Sequence, residues 1–248
     1  MRKINILILA AGRGSRLGKK TIKDPKPLLK FNGKTILDYQ LEVYKKFFGN
    51  KLYIVLGYKA EKIKNHLRNR KIKYFINREF KSTNMFYSFL KAKSLLRQKR
   101  DLVVVYGDII FKPKIFKKMI QNNSKLAVCV DQNYLQYWKK RMKNPLKDLE
   151  TMVIKNNLIV KLGKKTSNFK EIQGQYIGLT KFSSKKFNKI LRIIEDFIKE
   201  NKNYRNLYFT DFIQLLIDKQ IKVRAVKIKG EWQEFDNPKD FKINNLKV

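Results

Sequence analysis

The first residues able to do chemistry stand close together. Leu9-Ala10-Ala11-Gly12-Arg13-Gly14-Ser15-Arg16-Leu17-Gly18 is followed at short range by Pro25-Lys26-Pro27-Leu28-Leu29. Glycines let a backbone approach a ligand, and successive N–H groups can hold phosphate oxygens. Two familiar phosphate loops do not fit. A Walker-type loop puts four residues between its glycines before Lys-Ser/Thr. Here five separate Gly12 from Gly18, and Lys19 is followed by Lys20. A dinucleotide loop wants its third glycine where Leu17 stands and an acid ending the second strand, which reads Leu56-Gly57-Tyr58 instead. What remains is a turn carrying two arginines and a lysine toward phosphates. Fixed cations of this kind act where negative charge builds in a phosphoryl transfer.

Two acids complement these cations. Asp108, in Tyr106-Gly107-Asp108-Ile109, ends an apolar run. A carboxylate there is costly unless partnered, and a metal ion is one partner. A helix N-cap is the other reading. Asp236, in Trp232-Gln233-Glu234-Phe235-Asp236-Asn237-Pro238, precedes a helix and poses the same choice. Two such carboxylates could hold Mg²⁺ together with substrate oxygens.

The glycine run with Lys-Pro-Leu-Leu resembles the signature of the nucleotidyltransferases that make nucleoside-diphosphate sugars and cytidine-diphosphate alcohols. Lys81-Ser82-Thr83-Asn84-Met85-Phe86-Tyr87-Ser88 is similar to a Thr-Asn-x-x-x-Ser stretch of the phosphocholine, aminoethylphosphonate and phosphoglutamine cytidylyltransferase subgroup, and Gly57-Tyr58-Lys59-Ala60-Glu61 to another. The resemblance implies that Leu9, Ala10, Ala11, Gly12, Arg13, Gly14, Tyr58, Asn84, Ser88 and Gly107 bind the nucleotide. It implies that Arg16 and Lys26 are catalytic and that Asp108 and Asp236 hold Mg²⁺. Asn84 and Ser88 would read the base, and an amide suits the donor–acceptor edge of cytosine. On the acceptor side stand Arg141, Glu150, Glu171, Gln173 and Tyr176, where carboxylates and tyrosines could receive an ammonium group. They equally suit the polar surface of a lid. The implied reaction joins CMP from CTP to a small phosphorylated or phosphonate acceptor, releases pyrophosphate, and serves surface glycan, capsule or lipid modification. A sugar-1-phosphate nucleotidylyltransferase using UTP, dTTP or GTP stays open as an alternative.

The elements that must position these residues alternate in type. Ile4–Leu9, Lys51–Leu56, Ile72–Ile76, Leu102–Tyr106 and Leu126–Val130 are apolar, β-branched strands. Helices are expected over the 37–48 face of Leu37, Leu41, Tyr44 and Phe48 (Thr35 capping, Gly49-Asn50 stopping), then over 59–68, from Ser82 or Thr83 to Leu96, and near 113–120. This predicts an α/β fold with a doubly wound, mostly parallel sheet of Rossmann-like nucleotidyltransferase type. Ligands of such sheets lie beyond the strands' carboxyl ends, which gathers Ala10–Gly14, Gly57-Tyr58, Asn77–Glu79 and Gly107-Asp108 on one edge. The chain reads as a single domain, 1–248, with an inserted acceptor or lid lobe at approximately 132–170 and a hairpin at Asn156-Asn157. Tyr176–Thr180, the amphipathic 187–197, 210–218 and Ile221–Ile228 complete the pattern.

Of 248 residues, 58 are Lys or Arg and 20 are Asp or Glu, a net charge of +38. The lysines are spread along the whole chain beside Asn and Ile. That is a compositional bias of the surface more than the clustered, arginine-rich stripe of a nucleic-acid reader. A basic nucleic-acid-binding protein is therefore the weaker alternative, and no nucleic-acid partner is expected. The charge would still draw in anionic substrates. No apolar run is long enough to span a bilayer, and no leader pattern opens the chain, so a cytoplasmic setting without membrane contact is expected. One cysteine, Cys129, excludes an internal disulfide. Cys129 reads as a core thiol and the lone His66 as an exposed helix residue. The pattern specifies no oligomeric state.

Overall fold

A computed structural model describes residues 4–47, 49 and 51–246. Phe48 and Asn50, expected on a helix face and in its stop, lie outside the described residues. Among the described residues nine strands form the central sheet: β1 Asn5–Ala10, β2 Lys51–Leu56, β3 Ile72–Ile76, β4 Leu102–Tyr106, β5 Leu126–Asp131, β6 Glu150–Lys155, β7 Leu158–Lys165, β8 Gln175–Phe182 and β9 Val223–Ile228. Their spatial order is β3-β2-β1-β4-β8-β5-β9-β7-β6. Strands β1 to β4 pair in parallel, and β9 lies parallel to β5. Only β7 and β8 run against the rest among the described residues. The mostly parallel α/β sheet is as expected.

Strand alternation explains why both faces are covered. In β1, Ile6, Ile8 and Ala10 enter one hydrophobic cluster, while Leu7 and Leu9 enter the other. A strand buried on both faces reads as a continuous apolar run. Helix Ile36–Lys45 packs on the first side, and Phe187–Glu200 with Phe209–Asp218 on the second. Thr35 caps its helix by accepting from the Asp38 N–H.

Two local expectations are corrected. The helix expected from Ser82 or Thr83 to Leu96 is split. It runs Met85–Lys91 with Asn84 as its cap, and a 3₁₀ segment, Lys93–Arg97, follows. The Ser82 and Thr83 hydroxyls instead donate to Glu79 O, so neither caps. The 59–68 helix shortens to Ala60–His66: Lys59 adopts φ +49 before its first turn, and Leu67 leaves the helical region after its last.

Within 132–170 lie helix Tyr134–Arg141, a 3₁₀ turn at Pro145–Lys147 and the β6–β7 hairpin. Asn156 and Asn157 both take positive φ, 50° and 59°, the geometry of a tight two-residue hairpin turn. The hairpin joins the sheet through Ile159↔Val223.

Strand β8 is bulged between Tyr176 and Thr180. At the bulge Gly178 has φ +82, and a Cβ there would sit 2.7 Å from the Tyr106 ring. Both the conformation and the close ring demand glycine. Gly178→Ala is expected to lower the urea midpoint by the equivalent of about 1–3 kcal/mol. An unchanged midpoint would contradict this packing.

Candidate active site

The loop after β1 turns back because Gly14 takes φ +68, and a Cβ on it would meet Lys26 Cε at 3.0 Å. Pro25 and Pro27 flank Lys26 and hold it in a single 3₁₀ turn, Lys26–Leu28. The lysine stem is buried, and its Nζ emerges between two acids, 2.9 Å from Asp108 Oδ2 and 2.6 Å from Asp236 Oδ1. Arg16, with its side chain 62% exposed, reaches Asp236 Oδ2 at 2.8 Å.

Asp108 and Asp236 are remote in sequence, and a short ribbon joins them. Ile109–Phe111 pairs antiparallel with Trp232–Glu234, setting Glu234 opposite Ile109. Phe235 N then donates to Asp108 O at 3.0 Å. Gln40 fixes the intervening turn by donating from Nε2 to Tyr106 O and Ile109 O, both at 2.7 Å. Buried Asp131 anchors the other strand, accepting from Trp232 Nε1 at 2.8 Å and Gly230 N at 2.9 Å. Neither site acid is a helix cap: Asn237 caps the last turn together with Asp240.

A third carboxylate completes the group. Asp108, Glu234 and Asp236 each offer an oxygen within 4.8 Å of the others. Sequence reading passed over Glu234. Its signal was present, because in extended chain residues two apart share a face, so Glu234 and Asp236 flank the buried Phe235. Burial would lower the Lys26 pKa, but Asp108 and Asp236 outweigh it and raise it, so the ammonium stays charged. Burial alone would raise Asp236. Lys26, a hydrogen bond from Glu234 and Arg16 instead hold it well below the carboxylate range. Burial and then Asp236 raise Glu234, against the pull of Arg141. Asp108 Oδ1 is buried with no hydrogen-bond partner among the described residues. An orphaned carboxylate oxygen beside two further carboxylates suits a hard divalent cation.

Two cavities meet at these acids. The first, about 280 Å³, is lined by Leu9, Ala10, Ala11, Gly12, Gly14, Asn84, Ser88 and Gly107 with Arg16, Lys26 and Asp108. Thr83, Met85 and Phe80, which the sequence does not mark as nucleotide-binding, also face it. The second, about 700 Å³, holds Glu150 and Tyr176 with Trp138, Asp148, Lys165 and Tyr208. Arg16, Asn84, Tyr106, Glu234 and Asp236 line both. Burial, with Asp211 and Asp148 behind it, raises Glu150 to about 7 despite Lys165 and Lys164.

Five expected residues lie outside the cavities. Tyr58 donates its hydroxyl to Thr21 O at 2.9 Å, with Arg13 over its ring, so the pair braces the glycine loop from outside. Arg141 was expected to meet the acceptor, but its side chain is 1% exposed. Its Nε donates to Asp240 at 3.1 Å and its Nη1 to Glu234 at 2.8 Å, and it stacks over Tyr137 and Trp138. A guanidinium this deep must be fully paired. Asp240 Oδ2 also accepts from Asp236 N at 2.7 Å, so Arg141 braces the acidic segment from behind. Glu171 is engaged by Lys161 and Thr166, and Gln173 by Ile154 N, on the side of the hairpin.

Comparison with known proteins agrees with this architecture. The chain is 38% identical over 249 aligned residues to the CTP:phosphoglutamine cytidylyltransferase of Campylobacter jejuni, covering 97% of this chain and 98% of that one. Its fold matches the CTP:phosphocholine cytidylyltransferase of Streptococcus pneumoniae with a TM-score of 0.75 at 21% identity, covering 98% and 97% of the two chains. It also matches the inositol-1-phosphate CTP transferase of T. maritima with a TM-score of 0.73 at 20% identity, covering 98% and 93%. Residues 6–164, from the glycine loop past Asp108, match the MobA-like NTP transferase domain. On that span and the full-length relative, the chain belongs to the MobA-like NTP transferase family.

Proposed function

We propose that this protein is a Mg²⁺-dependent cytidylyltransferase that joins CMP to a small phosphorylated acceptor of the phosphoglutamine class. The observation that carries the reading is the junction of the two cavities, where Lys26 and Arg16 pair with Asp108 and Asp236 at 2.6–2.9 Å. The full-length relative supports the choice of CTP and acceptor. CTP would occupy the first cavity, with Asn84 and Ser88 toward the base and the loop Leu9–Gly14 along the phosphates. The acceptor would occupy the second, its cationic or polar end toward Glu150 and Tyr176 and its phosphate at the junction.

An acceptor phosphate oxygen attacks the α-phosphorus in line. The new P–O bond forms as the bond to the bridging oxygen of pyrophosphate breaks, and pyrophosphate leaves with the electron pair. Arg16 and Lys26 place positive charge beside the oxygens where charge builds. Lys26 needs no titration to do so, because its carboxylate partners keep it protonated. Magnesium held by Asp108 and Asp236, with Glu234 in reach, would supply the charge that screens the triphosphate. Arg141 keeps Glu234 and the Asp236 backbone in place. The chain would work as one domain, with the segment around 132–170 forming the acceptor side, in the cytoplasm and supplying activated groups for surface glycans.

A matrix of CTP, UTP, dTTP, GTP and ATP against phosphoglutamine, phosphocholine, 2-aminoethylphosphonate and a sugar-1-phosphate, read as pyrophosphate release, should show CTP favoured by at least about tenfold. Preference for UTP or dTTP with the sugar phosphate would replace the reading with a sugar nucleotidylyltransferase.

Asp108→Asn should cut kcat/KM by about 10²–10³-fold while the melting curve stays cooperative. Full activity in that variant would remove Asp108 from the site.

Glu150 is neutral below about 7 and anionic above it. The KM for an ammonium-bearing acceptor should therefore fall several-fold from pH 6 to 8, and by less in Glu150→Gln. Identical profiles for the two proteins would exclude Glu150 from the acceptor site.

A further inference from the structure

Asn77 lies wholly buried just beyond β3, behind the wall of the first cavity. Its backbone N–H donates to Leu56 O at 2.8 Å, knitting the ends of β2 and β3. The orientation of its amide is fixed. Oδ1 accepts the Glu79 N–H at 3.1 Å, and a flipped amide would set Nδ2 against that same N–H. Nδ2 therefore faces the other way with two protons to give. One goes to Thr83 Oγ1 at 3.1 Å and the other to Ser88 Oγ at 3.0 Å.

Both hydroxyls thus accept from Asn77, and each has a single proton of its own. Thr83 gives its proton to Glu79 O at 2.8 Å. The Ser88 proton meets no acceptor among the described residues, and Ser88 lines the first cavity. A hydroxyl that accepts from an amide is also polarised into a better donor. With that proton uncommitted, the Ser88 hydroxyl can donate into the cavity.

We propose that Asn77 is a positioning residue for base selection: by donating to Ser88 Oγ, it commits that hydroxyl to donate toward the base. Selection requires the donor to face N3, which is an acceptor in cytosine; O2 accepts in all three pyrimidines and does not discriminate. Uracil and thymine carry a proton on N3, which a donor opposes. A buried donor facing a donor leaves both unpaired, the kind of mismatch that separates close analogues. The inference rests on the cytidylyltransferase reading and assigns its base preference to a residue that does not touch the base.

The test is calorimetric affinity for CTP and UTP in Mg²⁺, on the full chain and on Ser88→Ala, Asn77→Ala and Asn77→Asp, with melting curves to establish folding. The expected ratio favours CTP by at least about tenfold in the parent protein and falls about tenfold in Ser88→Ala. In Asn77→Asp the carboxylate draws the Ser88 proton to itself and turns a lone pair to the base, so UTP should bind as well as CTP or better. Asn77→Ala frees the hydroxyl to rotate and should lose part of the ratio, and it serves where the buried aspartate prevents folding. An unchanged ratio in the folded Asn77 variants, or in Ser88→Ala, overturns the inference while leaving CTP as the substrate. A parent protein without preference for CTP overturns the cytidylyltransferase reading and the inference together.

Discussion

The architecture depends on holding three carboxylates together at the rim of a sheet. Asp108, Glu234 and Asp236 bring oxygens within 4.8 Å of one another in a partly buried place. Two like charges about 4 Å apart repel by about 4 kcal/mol where screening is partial. Lys26 is the internal answer, bridging Asp108 and Asp236 from a turn that its flanking prolines preset. Glu234 is served from behind by Arg141, which is itself balanced by Asp240. Much of the chain attends to this cluster. Gln40 ties down the Asp108 turn, Asp131 holds the ribbon that carries Glu234, and Gly14 clears the path of Lys26. A ligand whose own charges complete the cluster would relieve that cost.

Two acids of the cluster, Glu234 and Asp236, line two cavities at once. One cavity is walled by the glycine loop and the segment Thr83–Ser88, and the other by the hairpin and β8. Tyr106 stands between them, its ring packed on Gly178 and edge-on to Tyr176. Two reactants entering from opposite sides would meet where Arg16, Glu234 and Asp236 face both. The surplus of positive charge over the rest of the surface favours anionic reactants arriving at all.

What was legible in the sequence was whatever local pattern encodes. The runs 51–56, 72–76 and 102–106 are strands with the bounds read from their apolar, β-branched residues. The rim rule likewise gathered the glycine loop, Asn77 and Asp108 on one edge. Reading failed where the outcome rests on long-range pairing. Arg141 looks like a surface cation until Asp240, far along the chain, is seen to bury it. Glu234 hid beside the more obvious Asp236, and its role depends on the ribbon with Ile109. Tyr58 matched its motif yet turns its hydroxyl to Thr21. Asn77 carried no signal beyond its place after β3, since its importance lies in which way its amide faces.

The central claim is that the rim cluster grips a divalent ion and a triphosphate together. The most direct measurement is the anomalous density of Mn²⁺ in crystals grown with a non-hydrolysable CTP analogue. The account predicts one strong peak in contact with Asp108 and Asp236, with the α-phosphate within hydrogen-bonding reach of Arg16 and Lys26. A peak elsewhere, or phosphates lying away from the glycine loop with Lys26 still locked between the two aspartates, would contradict it.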